Sequence, residues 1–103
     1  MTVSVARVRG LALALPGALE KAHHGFPSFR VAGRFFATLP DDGHPNVMLE
    51  EADIRVELEA HSDCCEAQRR GKRLAALRVD LSAADADRVR NWLTEAWNRQ
   101  ANG

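Results

Sequence analysis

The chain has 103 residues, the length of one domain, and 46% of them are hydrophobic, which is typical of a globular rather than a disordered protein. Its 14 basic and 14 acidic side chains give a formal net charge of zero, so no global positive field draws the whole protein to nucleic acid or to an anionic membrane. The sequence has no apolar run of membrane length and no evident signal peptide, and a disulfide between the adjacent Cys64 and Cys65 would be strained, so we expect a single cytoplasmic domain over residues 1–103.

The first predicted element is a helix, with Ser4 as its N-cap and Pro16-Gly17 as its end. Apolar residues recur at helical spacing along one face of this segment: Val5, Val8, Leu11, Ala12 and Leu15. The polar segment from Glu20 to His24 follows and predicts a short edge strand.

A β-hairpin is predicted next, with Ala32-Gly33 as its two-residue turn and Gly33 at positive φ. This loop length places Phe29 opposite Phe36 and Arg30 opposite Phe35. We expect the two phenylalanines to be buried neighbours that hold the sheet against a helix through residues such as Leu93.

The middle of the chain alternates turns, short strands and one ambiguous segment. Glu50 to Ala60 has strand-like alternation, but its density of Glu and Ala favours a helix. The other predicted elements are a turn at Pro40–Pro45, a strand at Asn46–Leu49, a strand at Cys64–Gln68, a basic turn at Arg69–Arg73 around Gly71, and a strand at Leu74–Leu81.

The last helix is the clearest element. Ser82 is its N-cap candidate, with Asp85 three residues later in the capping-box position. One apolar stripe runs along it: Ala86, Val89, Trp92, Leu93, Ala96 and Trp97. Helices combined with strands on hairpin-length connections predict an α+β fold, an antiparallel β-sheet with helices packed on one face as a two-layer sandwich.

Several segments in this order resemble the MmcQ/YjbR family over nearly the whole chain. They are LPG at Leu15–Gly17, PSFRVAGRFFATL at Pro27–Leu39, Asn46-Val47 with Leu49, and Glu95-Ala96-Trp97 near the end. The resemblance implies a frataxin-like (CyaY-like) fold and DNA binding through a double-wing arrangement of hairpins. One departure is that Arg70-Gly71 and Leu74 stand where the family often carries aromatic residues, which argues against base stacking by that loop.

Six cations flanking the two glycine turns form the candidate nucleic-acid surface. Arg69, Arg70, Lys72 and Arg73 fall within five residues, and Arg30 and Arg34 flank the other turn as a second basic wing. Phosphate binding needs such clustered, mobile cations. The structural alternative is a solvated loop that balances the acidic segment from Asp41 to Glu59. If DNA is bound, the two turns must share one face away from that segment.

Metal binding is not expected, although four histidines supply the ligand type: His23, His24, His44 and His61. No H-x-x-x-H or C-x-x-C spacing occurs, and neighbours in an extended segment point to opposite faces. The first helix also carries Arg7 and Arg9 where an iron-binding ridge would need carboxylates. The interpretation we favour packs His24 beside the sheet edge and leaves His23 facing water.

Catalysis is not expected either. Cys64 and Cys65 lie near His61, but Asp63 and Glu66 on either side disfavour a thiolate, and no phosphate-binding glycine loop is present. Trp92 and Trp97 lie about 140° apart around a helix. Both rings therefore lie at the core edge, or one of them is partly exposed and available to a protein partner.

The sequence therefore predicts a protein that is not an enzyme and needs no cofactor. It binds the DNA phosphate backbone through basic hairpin turns, largely independently of base sequence, since no recognition helix stands out. The alternative is a protein- or ligand-binding scaffold with no nucleic-acid role.

Overall fold

A computed structural model describes residues 3–102, which form a six-stranded antiparallel sheet and three helices and confirm the predicted α+β fold. The elements in chain order are α1 (Val5–Leu13), β1 (Leu19–His23), β2 (Phe26–Val31), β3 (Arg34–Thr38), β4 (Asn46–Val47), α2 (Glu51–Ala60), β5 (Cys65–Arg70), β6 (Arg73–Val79) and α3 (Ala86–Asn102). The strand order across the sheet is β1-β2-β3-β4-β6-β5. The helix that composition predicts for residues 50–60 is confirmed as α2.

The three helices pack on one face of the sheet and share a single hydrophobic core with it. Helix α3 lies across β2, β3 and β4, helix α2 covers β5 and β6, and helix α1 packs on α3. Side chains alternate along β6, so that Leu77 and Val79 are buried beneath the helices while Arg78, between them, is half-exposed. The opposite face of the sheet is left without a helical layer.

The N-terminal helix begins as the sequence predicts but ends at Leu13, before the predicted end at Pro16-Gly17. The Ser4 hydroxyl accepts a hydrogen bond from the Arg7 amide at 3.1 Å, which satisfies an otherwise unpaired helix N–H. After the helix ends, Gly17 adopts φ +73°, and the Trp97 indole Nε1 donates to the Pro16 carbonyl at 2.8 Å. Trp97 is half-buried and ties this turn to α3, while Trp92 is buried in the core.

The hairpin of β2 and β3 turns at Ala32-Gly33 as predicted, but its register is only partly the predicted one. Both turn residues have positive φ (+53° and +78°), which matches the twist of a two-residue hairpin. Arg30 lies opposite Phe35, which confirms that pair, but Phe29 lies opposite Ala37 because a β-bulge between Phe29 and Arg30 shifts the register.

Strict alternation along the strand would turn either Phe36 or Ala37 away from the helices. The bulge interrupts that alternation and places Phe36 on the helix-covered face. Phe29 and Phe36 are both fully buried, with ring centroids 6.4 Å apart. They are therefore the buried neighbours that the sequence predicts, even though they are not a cross-strand pair. Leu93 of α3 belongs to the same core cluster.

The predicted cap of the last helix is wrong. Helix α3 begins at Ala86, and Asp85 is the cap, because its carboxylate accepts from the Arg88 amide at 2.8 Å. Ser82 instead donates through both its amide and its hydroxyl to the Asp80 carboxylate, at 3.0 and 2.6 Å. The side chain of Asp80 holds Ser82 in a local turn that precedes the helix.

Replacing Phe36 with alanine should lower the free energy of unfolding by about 3–5 kcal/mol, because the change removes a fully buried ring and leaves a cavity. Phe35→Ala is the matched control: it changes the adjacent, half-buried residue that faces the other side of the sheet. Urea denaturation of the three proteins measures both losses. Equal losses would contradict the assignment of Phe36 to the helix-covered face.

Candidate nucleic-acid interface

The two basic turns lie at the same end of the sheet. Strand β4 is antiparallel to both β3 and β6, so β3 and β6 run in the same direction. The turn before β3, at Ala32-Gly33, and the turn before β6, at Gly71-Lys72, are therefore brought to one end. Each of these strands starts with an arginine, Arg34 in β3 and Arg73 in β6.

An open cleft of about 780 Å³ lies between the two hairpins. The cleft forms because β4 has only two residues and pairs only with the halves of β3 and β6 that lie away from the basic turns. The halves nearer the turns are consequently not joined, and residues of both hairpins line the gap. Met48, which follows β4, and Arg99 and Gln100 from the end of α3 also line it.

Arginine side chains from both hairpins surround the cleft. Arg34, Arg69, Arg70 and Arg73 line it and are exposed, and Lys72 is exposed at the adjoining turn. The guanidinium carbon of Arg30 lies 4.2 Å from the centroid of the Phe35 ring, so this residue stacks on the sheet rather than extending from the turn. The structure thus brings residues of both predicted basic wings together at one cleft.

Ion pairing distinguishes these six cations from several others. Within residues 3–102, no carboxylate lies within 4.0 Å of Arg30, Arg34, Arg69, Arg70, Lys72 or Arg73. By contrast, Arg9 pairs with Glu20 at 2.8 Å, and Arg78 pairs with Glu66 at 3.1 Å. The exposed arginines that line the cleft, Arg34, Arg69, Arg70 and Arg73, therefore keep their hydrogen-bond donors for another anion, whereas Arg30 donates to the Ser28 hydroxyl at 3.5 Å.

The acidic segment is largely separated from the basic turns. Asp41 follows β3 at the opposite end of the sheet, where it contacts His44 at 3.1 Å and Arg78 at 3.7 Å. The acidic residues of α2 lie in the helical layer. One exception is Glu50, 3.9 Å from the side chain of Arg99. Arg99 is a cleft residue that the sequence did not indicate, because only the packing of α3 brings it there.

Four aromatic side chains share this cleft with the cations: His23, His24, Phe26 and Phe35. His23 is central, with its ring centroid 4.2 Å from that of His24, 4.5 Å from that of Phe35 and 5.5 Å from that of Phe26. All three contacts are edge-to-face. We call these four residues the aromatic cluster.

The predicted roles of the two histidines are reversed. His23 is half-buried within the aromatic cluster, whereas His24 is exposed. His24 and Gly25 have φ of +51° and +86°, so they form the turn between β1 and β2 and leave His23 in the strand opposite Phe26. The signal in the sequence was the His24-Gly25 pair, which suits a two-residue hairpin.

The electrostatic environment of the cleft acts on His23. Loss of hydration lowers the pKa of this imidazole below its ordinary value, and the positive charges of His24, Arg30 and Arg70 lower it further. Its neutral form is therefore favoured, first by loss of hydration and second by the cations beside it.

The cysteines lie away from this cleft. Both are buried, and the Cys65 thiol lies 3.1 Å from the His61 carbonyl oxygen. Burial raises the pKa of Cys65 to about 11, with smaller contributions from Cys64 and Glu57, and burial also raises the pKa of Cys64. Thiolate formation is thus opposed by desolvation first, and then by Cys64 and Glu57 at Cys65 and by Asp63 at Cys64.

The histidines do not assemble with other ligands. In the part of the chain that the structure describes, no group of three or more His, Cys, Asp or Glu side chains is placed to hold a metal ion. His44 lies 3.1 Å from Asp41, and His61 lies 3.5 Å from Glu57. No helix within residues 3–102 combines the length and the apolar character needed to cross a membrane.

Comparison with known proteins gives one family. The YjbR family model matches residues 13–99, which include both hairpins, most of the cleft lining and most of α3. No curated protein and no solved structure matches the chain.

The buried thiol predicts a loss of stability at alkaline pH. The pKa of Cys65 is about 11 in the folded protein against an ordinary value of 9.0, so between these values the unfolded chain releases a proton that the folded chain retains. The free energy of unfolding should therefore fall by about 1–3 kcal/mol as the pH rises from 9 to 11. Urea denaturation across this range measures the slope. Cys65→Ala should remove most of it, and an unchanged slope in that variant would contradict the prediction.

Proposed function

The chain belongs to the YjbR family, and we propose that it binds DNA through the sugar-phosphate backbone at the basic cleft between its two hairpins. The observation that carries this proposal is the convergence of two basic turns at one end of the sheet. Their cations have no carboxylate within 4.0 Å among residues 3–102. Cations that are exposed and unpaired exchange water and counterions for phosphate without first breaking an internal ion pair.

The chemistry of the side chains suits phosphate. Most of the cleft cations are arginines, whose planar guanidinium groups donate two parallel hydrogen bonds to phosphate oxygens. Arg34 from one hairpin and Arg70 and Arg73 from the other line opposite sides of one cleft. A backbone that passes across the gap would contact both hairpins together.

Binding of this kind depends little on base sequence. Sequence reading in duplex DNA generally uses a helix or strand pair that enters the major groove. Here all three helices pack on the other face of the sheet, and only the end of α3, at Arg99 and Gln100, reaches the cleft. Contacts to phosphate position a protein on DNA but do not select a sequence.

The salt dependence of binding tests this proposal. Duplex DNA of unrelated sequences is titrated at several salt concentrations, with the affinity read from fluorescence anisotropy. For the wild type, log K should fall steeply with log salt. Replacing Arg69, Arg70, Lys72 and Arg73 with glutamine should flatten that slope by about 0.9 for each lost phosphate contact, or by about 3–4 if all four engage.

A second quadruple variant controls for net charge. Arg7, Arg55, Arg88 and Arg90 lie on the three helices, and their replacement by glutamine removes the same charge from the other layer of the molecule. This variant should keep the wild-type slope. Equal slopes for the wild type and the hairpin variant, or little affinity at physiological salt, would overturn the proposal and favour a scaffold without a nucleic-acid role.

A further inference from the structure

From the aromatic cluster we infer that the strand bound at this cleft is single-stranded and that its unstacked bases lie against the rings. This inference rests on the proposed function, because the same arginines hold the phosphates. It adds the class of nucleic acid, which the basic turns alone do not specify. The combination that carries it is aromatic faces and unpaired arginines in one open cleft.

The aromatic cluster lies on the face of the sheet that has no helical layer. Phe26 and Phe35 are half-buried, and His23 meets both of them edge-to-face. Large aromatic side chains usually pack in the core, as Phe29 and Phe36 do on the other face of the same two strands. The Arg30 guanidinium already stacks on the Phe35 ring, whereas the half-buried Phe26 ring lines the open cleft and leaves apolar surface for a ligand.

Stacking requires a base whose π-face is free. In duplex DNA both faces of each base are covered by neighbouring base pairs, so a duplex would present only its phosphates to this cleft. A single strand can turn its bases into the gap while its phosphates remain at the rim. The arrangement here supplies both contacts, because Arg70 and Arg73 line the cleft together with Phe26 and Phe35.

The aromatic rings and most of the cations come from different strands of the sheet. The β5-β6 hairpin lines the cleft with Arg69, Arg70 and Arg73, and its Leu74 is buried. In this chain the aromatic rings come from the facing hairpins, from His23 at the end of β1 to Phe35 in β3. One side of the cleft thus provides cations without aromatic rings, and the other side provides the rings together with Arg34.

The test compares one labelled strand of mixed sequence, about 12 nucleotides long, with its duplex in the same buffer. The wild type should bind the single strand at least about tenfold more tightly than the duplex. Phe26→Leu keeps an apolar side chain but removes the ring, and it should weaken binding of the single strand by about 5–150-fold. Its affinity for the duplex should not change, because no phosphate contact is lost.

Phe26→Trp is the matched variant, since it keeps a ring at the same residue and should retain wild-type affinity for the single strand. Thermal melts of both variants establish that they are folded before binding is measured. Val56→Ala, on the exposed surface of α2, controls for the loss of an apolar side chain away from the cleft. Val56→Ala should change the affinity for neither the single strand nor the duplex.

The outcomes separate this inference from the proposed function. Equal affinity for single strand and duplex, with both lost in the hairpin arginine variant, would overturn the inference and leave backbone binding in place. If Phe26→Leu still prefers the single strand as strongly as the wild type does, the inference is also overturned, because the aromatic rings would then not cause that preference. Absence of salt-sensitive binding to either ligand would overturn both.

Discussion

One extended segment, from Gly43 to Met48, joins the two halves of the sheet, and the rest of the molecule depends on it. On one side Met48 donates to the Phe36 carbonyl at 3.0 Å, and on the other the Pro45 and Gly43 carbonyls accept from Val79 and Leu81 at 2.9 and 3.0 Å. Val47, at its centre, is fully buried under the helices. The segment pairs with both β3 and β6 and so forms one continuous sheet over one core. It is too short to reach the basic turns, so the two hairpins are separated at that end.

The two faces of the sheet therefore differ in what they contribute to the molecule. The helix-covered face supplies stability through buried apolar area, which includes Phe29, Phe36, Leu77 and Trp92. The other face and the open end carry charge and ring surface that folding does not need. Like charges at exposed turns repel weakly because water and salt screen them, so a cluster of arginines there costs the fold little. Carboxylates elsewhere return the whole chain to zero net charge.

Local patterns in the sequence were sufficient for most of the elements and for the candidate basic residues. Helical spacing identified α1 and α3, composition decided for helix α2, and the glycine turns located both basic hairpins. The errors occurred where neighbouring residues compete for one role. Asp85 rather than Ser82 caps the helix, because the Ser82 hydroxyl donates to Asp80. The β-bulge between β2 and β3 has no signal in the residue types. His24 took the turn and left His23 in the strand. The shared cleft itself depends on how β4 pairs with two distant strands, which no local pattern contains.

The two indole rings have a consequence for how this protein can be observed. Trp92 and Trp97 are the chain's only tryptophans, the chain has no tyrosine, and both indoles lie on α3, one in the core and the other bonded to the Pro16 carbonyl. Neither lines the cleft. Intrinsic emission therefore reports the integrity of the helical layer, and a ligand seated on the open face leaves both fluorophores in their native surroundings. Occupancy and unfolding can accordingly be followed in one sample as independent optical signals.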